Sequence, residues 1–128
     1  MNDILVPCDP ADLIDRIIDL QLRIDAVPDG TNRSDMVRQR ELLSRLAARV
    51  MPQDFAMTQL TRNLFDARSD LFNVIRDLHA SDQRKDYDTG FVALTQAMLA
   101  AMTAAETARA AINRHAATIS SDPSSSHL

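Results

Sequence analysis

At 128 residues the chain suits one domain, long enough to bury roughly two-thirds of the surface its unfolded form exposes. Hydrophobic residues make up 45%, yet there is no Trp, one Tyr and only two glycines, Gly30 and Gly90, which disfavours a sheet rich in turns and aromatics. A net charge of −4 argues against nucleic-acid binding driven by counterion release, and the single Cys8 excludes an internal disulfide and implies a reducing, cytoplasmic compartment.

Residues 1–8 hold Ile4-Leu5-Val6-Pro7, an extended apolar arm in which Pro7 biases Val6 away from helix. A first helix is predicted over about 10–27. Asp9 suits the N-cap, Pro10 the first helical position and Asp12 the third, with Cys8 and Leu13 placed as a hydrophobic staple. Leu13, Ile17, Leu20, Ile24 and Val27 form its seam, and Pro28-Asp29-Gly30 ends it. A second helix is predicted over about 33–51, capped by Thr31 or Ser34 and stopped by Pro52.

A third helix is predicted over about 54–80 and a fourth over about 89–119, the latter capped by Asp88 or Thr89. Each carries a sustained three-four beat: Met57, Leu60, Leu64, Ala67, Leu71, Val74, Leu78, then Phe91, Leu94, Met98, Ala101, Ala105, Ala108, Ile112. His115 and Ile119 extend the second run. Such spacing lines one side of a helix laid along partner helices. The Ser-rich tail 120–128, which includes His127, has too little apolar surface to order itself, so residues 1–119 are expected to form a single helical domain.

Short connections make successive helices antiparallel. The expected fold is therefore all-α: an antiparallel four-helix bundle of two helical hairpins, the second long and coiled-coil-like. No continuous apolar run reaches 18 residues, so no membrane span is expected, nor a signal peptide. Two helices carry more apolar surface than one seam requires. Ile14, Ile18 and Leu22 form a second stripe on helix one, and Phe65, Phe72 and Ile75 lie outside the main beat of helix three. Either these helices sit centrally or the extra stripes are interface candidates for a homodimer, with an unidentified protein as a further possible partner.

Chemistry is harder to find. Asp12, Asp15, Asp19 and Asp25 sit on helix one, but without a second acidic box the pattern reads as a solvated face paired at i,i+4, Asp12 with Arg16 and Asp19 with Arg23. Arg38, Arg45 and Arg49 share a face of helix two and are the ligand-binding candidates, suited to a phosphate or carboxylate. Helix one sums to −3 over 9–25 and helix two to +3 over 33–51, so charge matching between the two accounts for both sets. His79 sits in the last turn of helix three and His115 in the helix-four seam, too far apart to meet within one antiparallel hairpin. Gly90, with Arg84 and Lys85 upstream, reads as a turn residue rather than an anion pocket. No catalytic, metal or cofactor motif is present, and a non-catalytic interaction or scaffold protein is the expectation. A small helical enzyme or ligand-binding protein using the helix-two arginines is the alternative.

With these residues placed, the chain resembles a family of small uncharacterised bacterial all-helical proteins that open on a Val-Pro arm and a Gly-Glu-Leu-Ile-Asp-Lys-like first helix. The matching stretches are Val6-Pro7, Asp12-Leu13-Ile14-Asp15-Arg16-Ile17, Leu71-Phe72, Arg76-Asp77-Leu78, Asp86-Tyr87, Phe91-Val92-Ala93-Leu94 and Ile112-Asn113. The resemblance implies an all-helical fold and no assigned reaction. Where the family carries acidic residues in helix three this chain has Ile75 and Arg76, and the family's polar cluster in helix four is replaced by Leu99 through Ala105, so it implies no site residue here.

Overall fold

A computed structural model describes residues 9–27 and 32–121, the last three in backbone only. The Ile4–Pro7 arm, Cys8, the Pro28-Asp29-Gly30 turn, Thr31 and the tail with His127 lie outside the described residues. Four helices occupy the four predicted stretches: α1 (Pro10–Ala26), α2 (Arg33–Val50), α3 (Phe55–Gln83) and α4 (Thr89–Ser121). No strand occurs among the described residues.

Each boundary has a local cause. At α1 the Asp9 carboxylate accepts from the Asp12 backbone N–H at 2.9 Å while Asp12 accepts from the Asp9 N–H, a reciprocal box with Pro10 inside it. Asp54 caps α3 by accepting from the Met57 N–H at 2.7 Å. Asp88 serves α4, its Oδ1 accepting from the Gly90 N–H at 2.9 Å. At α2 the cap position falls to Asn32, whose side chain makes no capping bond, so neither Thr31 nor Ser34 is the N-cap. The end of α3 closes through the Asp86 N–H to the Ser81 carbonyl (2.9 Å) and the Lys85 N–H to the Asp82 carbonyl (3.0 Å). This C-cap turn sets Lys85 at φ 58°, where glycine is usual. Tyr87 braces the turn, donating its hydroxyl to Asp82 at 2.6 Å and meeting Phe91 edge-on at 5.1 Å.

The two hairpins are unequal. α3 and α4 pack along their length and α1 lies across both, whereas α2 neighbours only α1 among the described helices and buries no residue. Leu64 and Ile112 are fully buried and, with Ile14, Ile18, Met57 and Ala105, make the centre of the core. Helix one is thus central: Ile14 and Ile18, expected as dimer candidates, are consumed inside the chain, and Leu22 packs partly buried against the same cluster. Every apolar residue in the core lies outside 68–100, because α1 reaches only the half of the long hairpin that carries both of its outer ends.

α4 bears on the membrane expectation. Over Thr89–Thr118 it reaches a mean hydropathy of 1.2, long and apolar enough by length and composition to cross a bilayer, through dispersed alanines rather than a continuous run. Glu106, Arg109 and Arg114 interrupt that stretch, and Arg109 is held by α1.

Lys85→Gly relieves the left-handed residue at the α3 C-terminus. It should raise unfolding stability by about 0.5–1 kcal/mol, read from urea midpoints at unchanged slope.

Candidate functional site: a half-filled channel on the long hairpin

Three polar side chains on the hairpin hold α1 in place. Asp15 is shared: Arg68 of α3 donates from Nε at 2.7 Å and from Nη2 at 2.6 Å, and Arg109 of α4 donates from Nη1 at 2.7 Å. Arg109 Nη2 also donates to Asp12. One turn further, Asn113 accepts from the Ala11 N–H at 2.9 Å, satisfying an orphan helix donor, and donates to Asp9 at 3.0 Å. The N-terminus of α1 is thereby fixed to α4 and its second turn to both hairpin helices.

The electrostatics follow from these bonds. The hydrogen bond from Arg109 holds the Asp12 carboxyl below its ordinary value. Asp12, and after it Asp15, make the Arg109 guanidinium still more basic than usual, and Asp15 does the same for Arg68. A second tie joins the hairpin's own ends, His115 to Asp54 at 3.0 Å. The Asp54 carboxyl is lowered first by the Met57 N–H and then by His115.

This arrangement overturns the expected charge matching. Asp12 binds Arg109 rather than Arg16, and of the i,i+4 pairs Asp19–Arg23 forms, at 2.9 Å. The helix-two arginines do not meet the helix-one aspartates: Arg38 pairs with Asp35 at 3.2 Å, Arg40 donates to Gln21 and Glu41, and Arg45 and Arg49 are exposed. The physical reason is reach and rigidity. Arg68 and Arg109 project from two packed helices toward one point, whereas the outer face of α2 is turned to solvent. Among the described residues no group of three His, Cys, Asp or Glu is placed for a metal ion.

The α1 seat belongs to a longer channel. On α3, Phe65 packs against the core cluster and Arg68 binds Asp15; seven residues on from each stand Phe72 and Ile75. On α4, Arg109 and Asn113 hold α1; stepping back by sevens gives Met102 and Thr95, then Glu106, Leu99 and Val92. Seven residues are two turns, so each series stays on one face. α1 covers the charged half of this channel and leaves the rest bare: Phe72 is 36% exposed, Ile75 49%, Val92 52%, Leu99 56% and Met102 47%. Beside it lies a groove of about 1060 Å³ walled by α1, α2 and α3, where Met36, Leu43 and Leu46 of α2 and Leu20 and Leu22 of α1 line it with Leu71, Phe72 and Ile75, and the Asp12, Asp15, Arg68 and Arg109 cluster closes one end.

The predicted interface residues therefore divide, with Ile14 and Ile18 in the core, Leu22 and Phe65 packed against it, and Phe72 and Ile75 exposed. Arg38, Arg45 and Arg49 do not line the groove. Sequence reasoning missed Arg68, Arg109 and Asn113; the signal was available, since these polar residues continue apolar stripes at heptad spacing. Comparison with protein-family models, curated proteins and solved structures finds no match to this chain.

Replacing Asp15 with Asn removes the anion shared by two arginines and should cost about 1.5–3 kcal/mol, whereas Asp19→Asn, at an exposed pair, should cost under about 0.5 kcal/mol, both measured by urea unfolding. The lowered carboxyls of Asp12 and Asp54 stabilise the fold fully above their ordinary value of 3.8. That contribution declines as pH falls from there through the depressed native values. Acid titration followed by circular dichroism should show helix loss in that window, shallower for the double variant Asp12→Asn/Asp54→Asn.

Proposed function

We propose that the protein is a non-catalytic helical interaction or scaffold protein of the cytoplasm, which works by docking apolar helical surface into the uncovered half of the channel. One observation carries this reading. Between residues 68 and 100 no apolar side chain is fully buried: Leu71, Val74, Leu78, Phe91, Leu94 and Met98 of the α3 and α4 seams are half-buried, and Phe72, Ile75, Val92 and Leu99 are exposed. A two-helix arm of this kind gains stability by covering that surface. The membership suggested by the Val-Pro arm and first-helix pattern belongs to the same proposal, and it brings no reaction with it.

The alternative, a small enzyme or ligand-binding protein handling a phosphate- or carboxylate-bearing molecule, relies on Arg38, Arg45 and Arg49. Their exposure on the outer face of α2, away from the groove, gives it less support. Affinity capture from native extract, with covalent crosslinking, separates the two. Leu99→Asp should abolish association while leaving helicity unchanged, and the double variant Arg45→Ala/Arg49→Ala should retain it. Loss with the arginine variant and retention with Leu99→Asp would overturn the proposal.

A further inference from the structure

We infer that the groove walled by α1, α2 and α3 binds an amphipathic monoanion, a long-chain carboxylate with its tail between α2 and α3 and its head at Arg16. The site is separate from the docking surface proposed above. It meets the bare half-channel along α3 only, Arg109 is its one lining residue from α4, and it uses none of the helix-two arginines Arg38, Arg45 and Arg49. A gap between apolar walls and a count of charges lead there.

The gap comes first. Met36, Leu43 and Leu46 recur at helical spacing, so they share one face of α2. Leu43 and Leu46 touch the core cluster on one side, and all three line the groove on the other, with Leu71, Phe72 and Ile75 on its far wall. The walls do not close on each other: α2 neighbours only α1, and Met36, Leu43 and Leu46 stay half-buried. About 1060 Å³ lies between these apolar surfaces, which reaches the upper end of the roughly 300–1,000 Å³ of small-molecule sites. An extended peptide laid there would bring unpaired N–H and C=O groups along both walls. An aliphatic tail brings none.

The charges define the head. The lining holds three carboxylates, Asp12, Asp15 and Asp19, against four guanidiniums, Arg16, Arg23, Arg68 and Arg109, an excess of one positive charge. Three of the cations are committed: Arg109 to Asp12 and Asp15, Arg68 to Asp15, and Arg23 to Asp19. Arg16 is exposed and hydrogen-bonds no described residue, because Asp12, four residues before it, is taken by Arg109. It feels the Asp12 charge only at longer range. Along α1 it stands one turn past Asp12 and one turn before Leu20, between the charged end of the groove and its apolar span.

A monoanion there balances the lining, and a carboxylate matches the guanidinium fork. A cation would add like charge, and a neutral head would take water from Arg16 and return no acceptor. Because Arg16 is exposed, tail burial supplies most of the affinity and Arg16 selects the head.

The test titrates the full chain with dodecanoate, below the concentration at which it forms micelles, in a calorimeter. Saturable binding of one molecule per chain is expected, with dodecanol and butanoate weaker. Arg16→Gln should weaken dodecanoate about two- to five-fold and leave dodecanol unchanged, whereas Arg45→Gln, which removes the same charge from the outer face of α2, should change neither. Ile75→Asp, at a half-exposed position of the α3 wall, should abolish binding with helicity unchanged by circular dichroism. Leu99→Asp should retain it, so loss of ligand and loss of partner capture are read apart. Uptake that does not saturate, or that survives Ile75→Asp, overturns the groove as the site, as does loss with Leu99→Asp. Equal effects of Arg16→Gln and Arg45→Gln overturn Arg16 as the residue that holds the head.

Discussion

The Asp15 carboxylate, gripped at once by Arg68 and Arg109, is the constraint on which the rest of the molecule depends. Two arginines on adjacent packed helices would repel each other across the channel; one partly buried anion between them turns that repulsion into a three-helix joint. Asp12 adds a second acceptor for Arg109, and Asn113 closes the α1 N-terminus. These bonds decide where along the long hairpin α1 lies. With that position set, Ile14 and Ile18 drop into the core beside Leu64 and Ile112.

The same joint explains why α2 is peripheral. It reaches the rest of the fold through α1, and its Leu43, Leu46 and Ala47 are partly rather than fully buried. Net charges of opposite sign on two neighbouring helices looked sufficient to pair them, but net charge has no direction. Asp12 and Asp15 project from the α1 face turned to the hairpin, and Arg38, Arg45 and Arg49 from the α2 face turned to water. Opposite charges on surfaces that point apart contribute little at physiological salt.

A channel whose two halves differ in chemistry follows directly. Along the α4 face the lining changes from Asn113 and Arg109 to Met102, Leu99 and Val92, with Glu106 at the border. The polar half takes a helix of the same chain, oriented by ion pairs. Along α4 the apolar half offers contact area without orienting charges. A hydropathy profile registers this half as membrane-like because it counts alanine and methionine without asking what faces them.

The sequence by itself determined the four helices, the cap at Asp9, a cap at Asp88 or Thr89, and the seams of α3 and α4. These are local matters: periodicity is carried by neighbours three, four and seven residues apart, and a cap bond spans three. The same reading left Ile14, Ile18, Phe65 and Phe72 as equivalent surplus, though two are core, one packs on the core and one faces the groove. It also matched Asp12 to Arg16 where the partner is Arg109, while Asp19–Arg23 forms as read. Only the tertiary structure decided those points. Asp15 and Arg109 are 94 residues apart, and which of several aspartates meets which of many arginines depends on where a helix crosses a hairpin, a distance that no local pattern encodes.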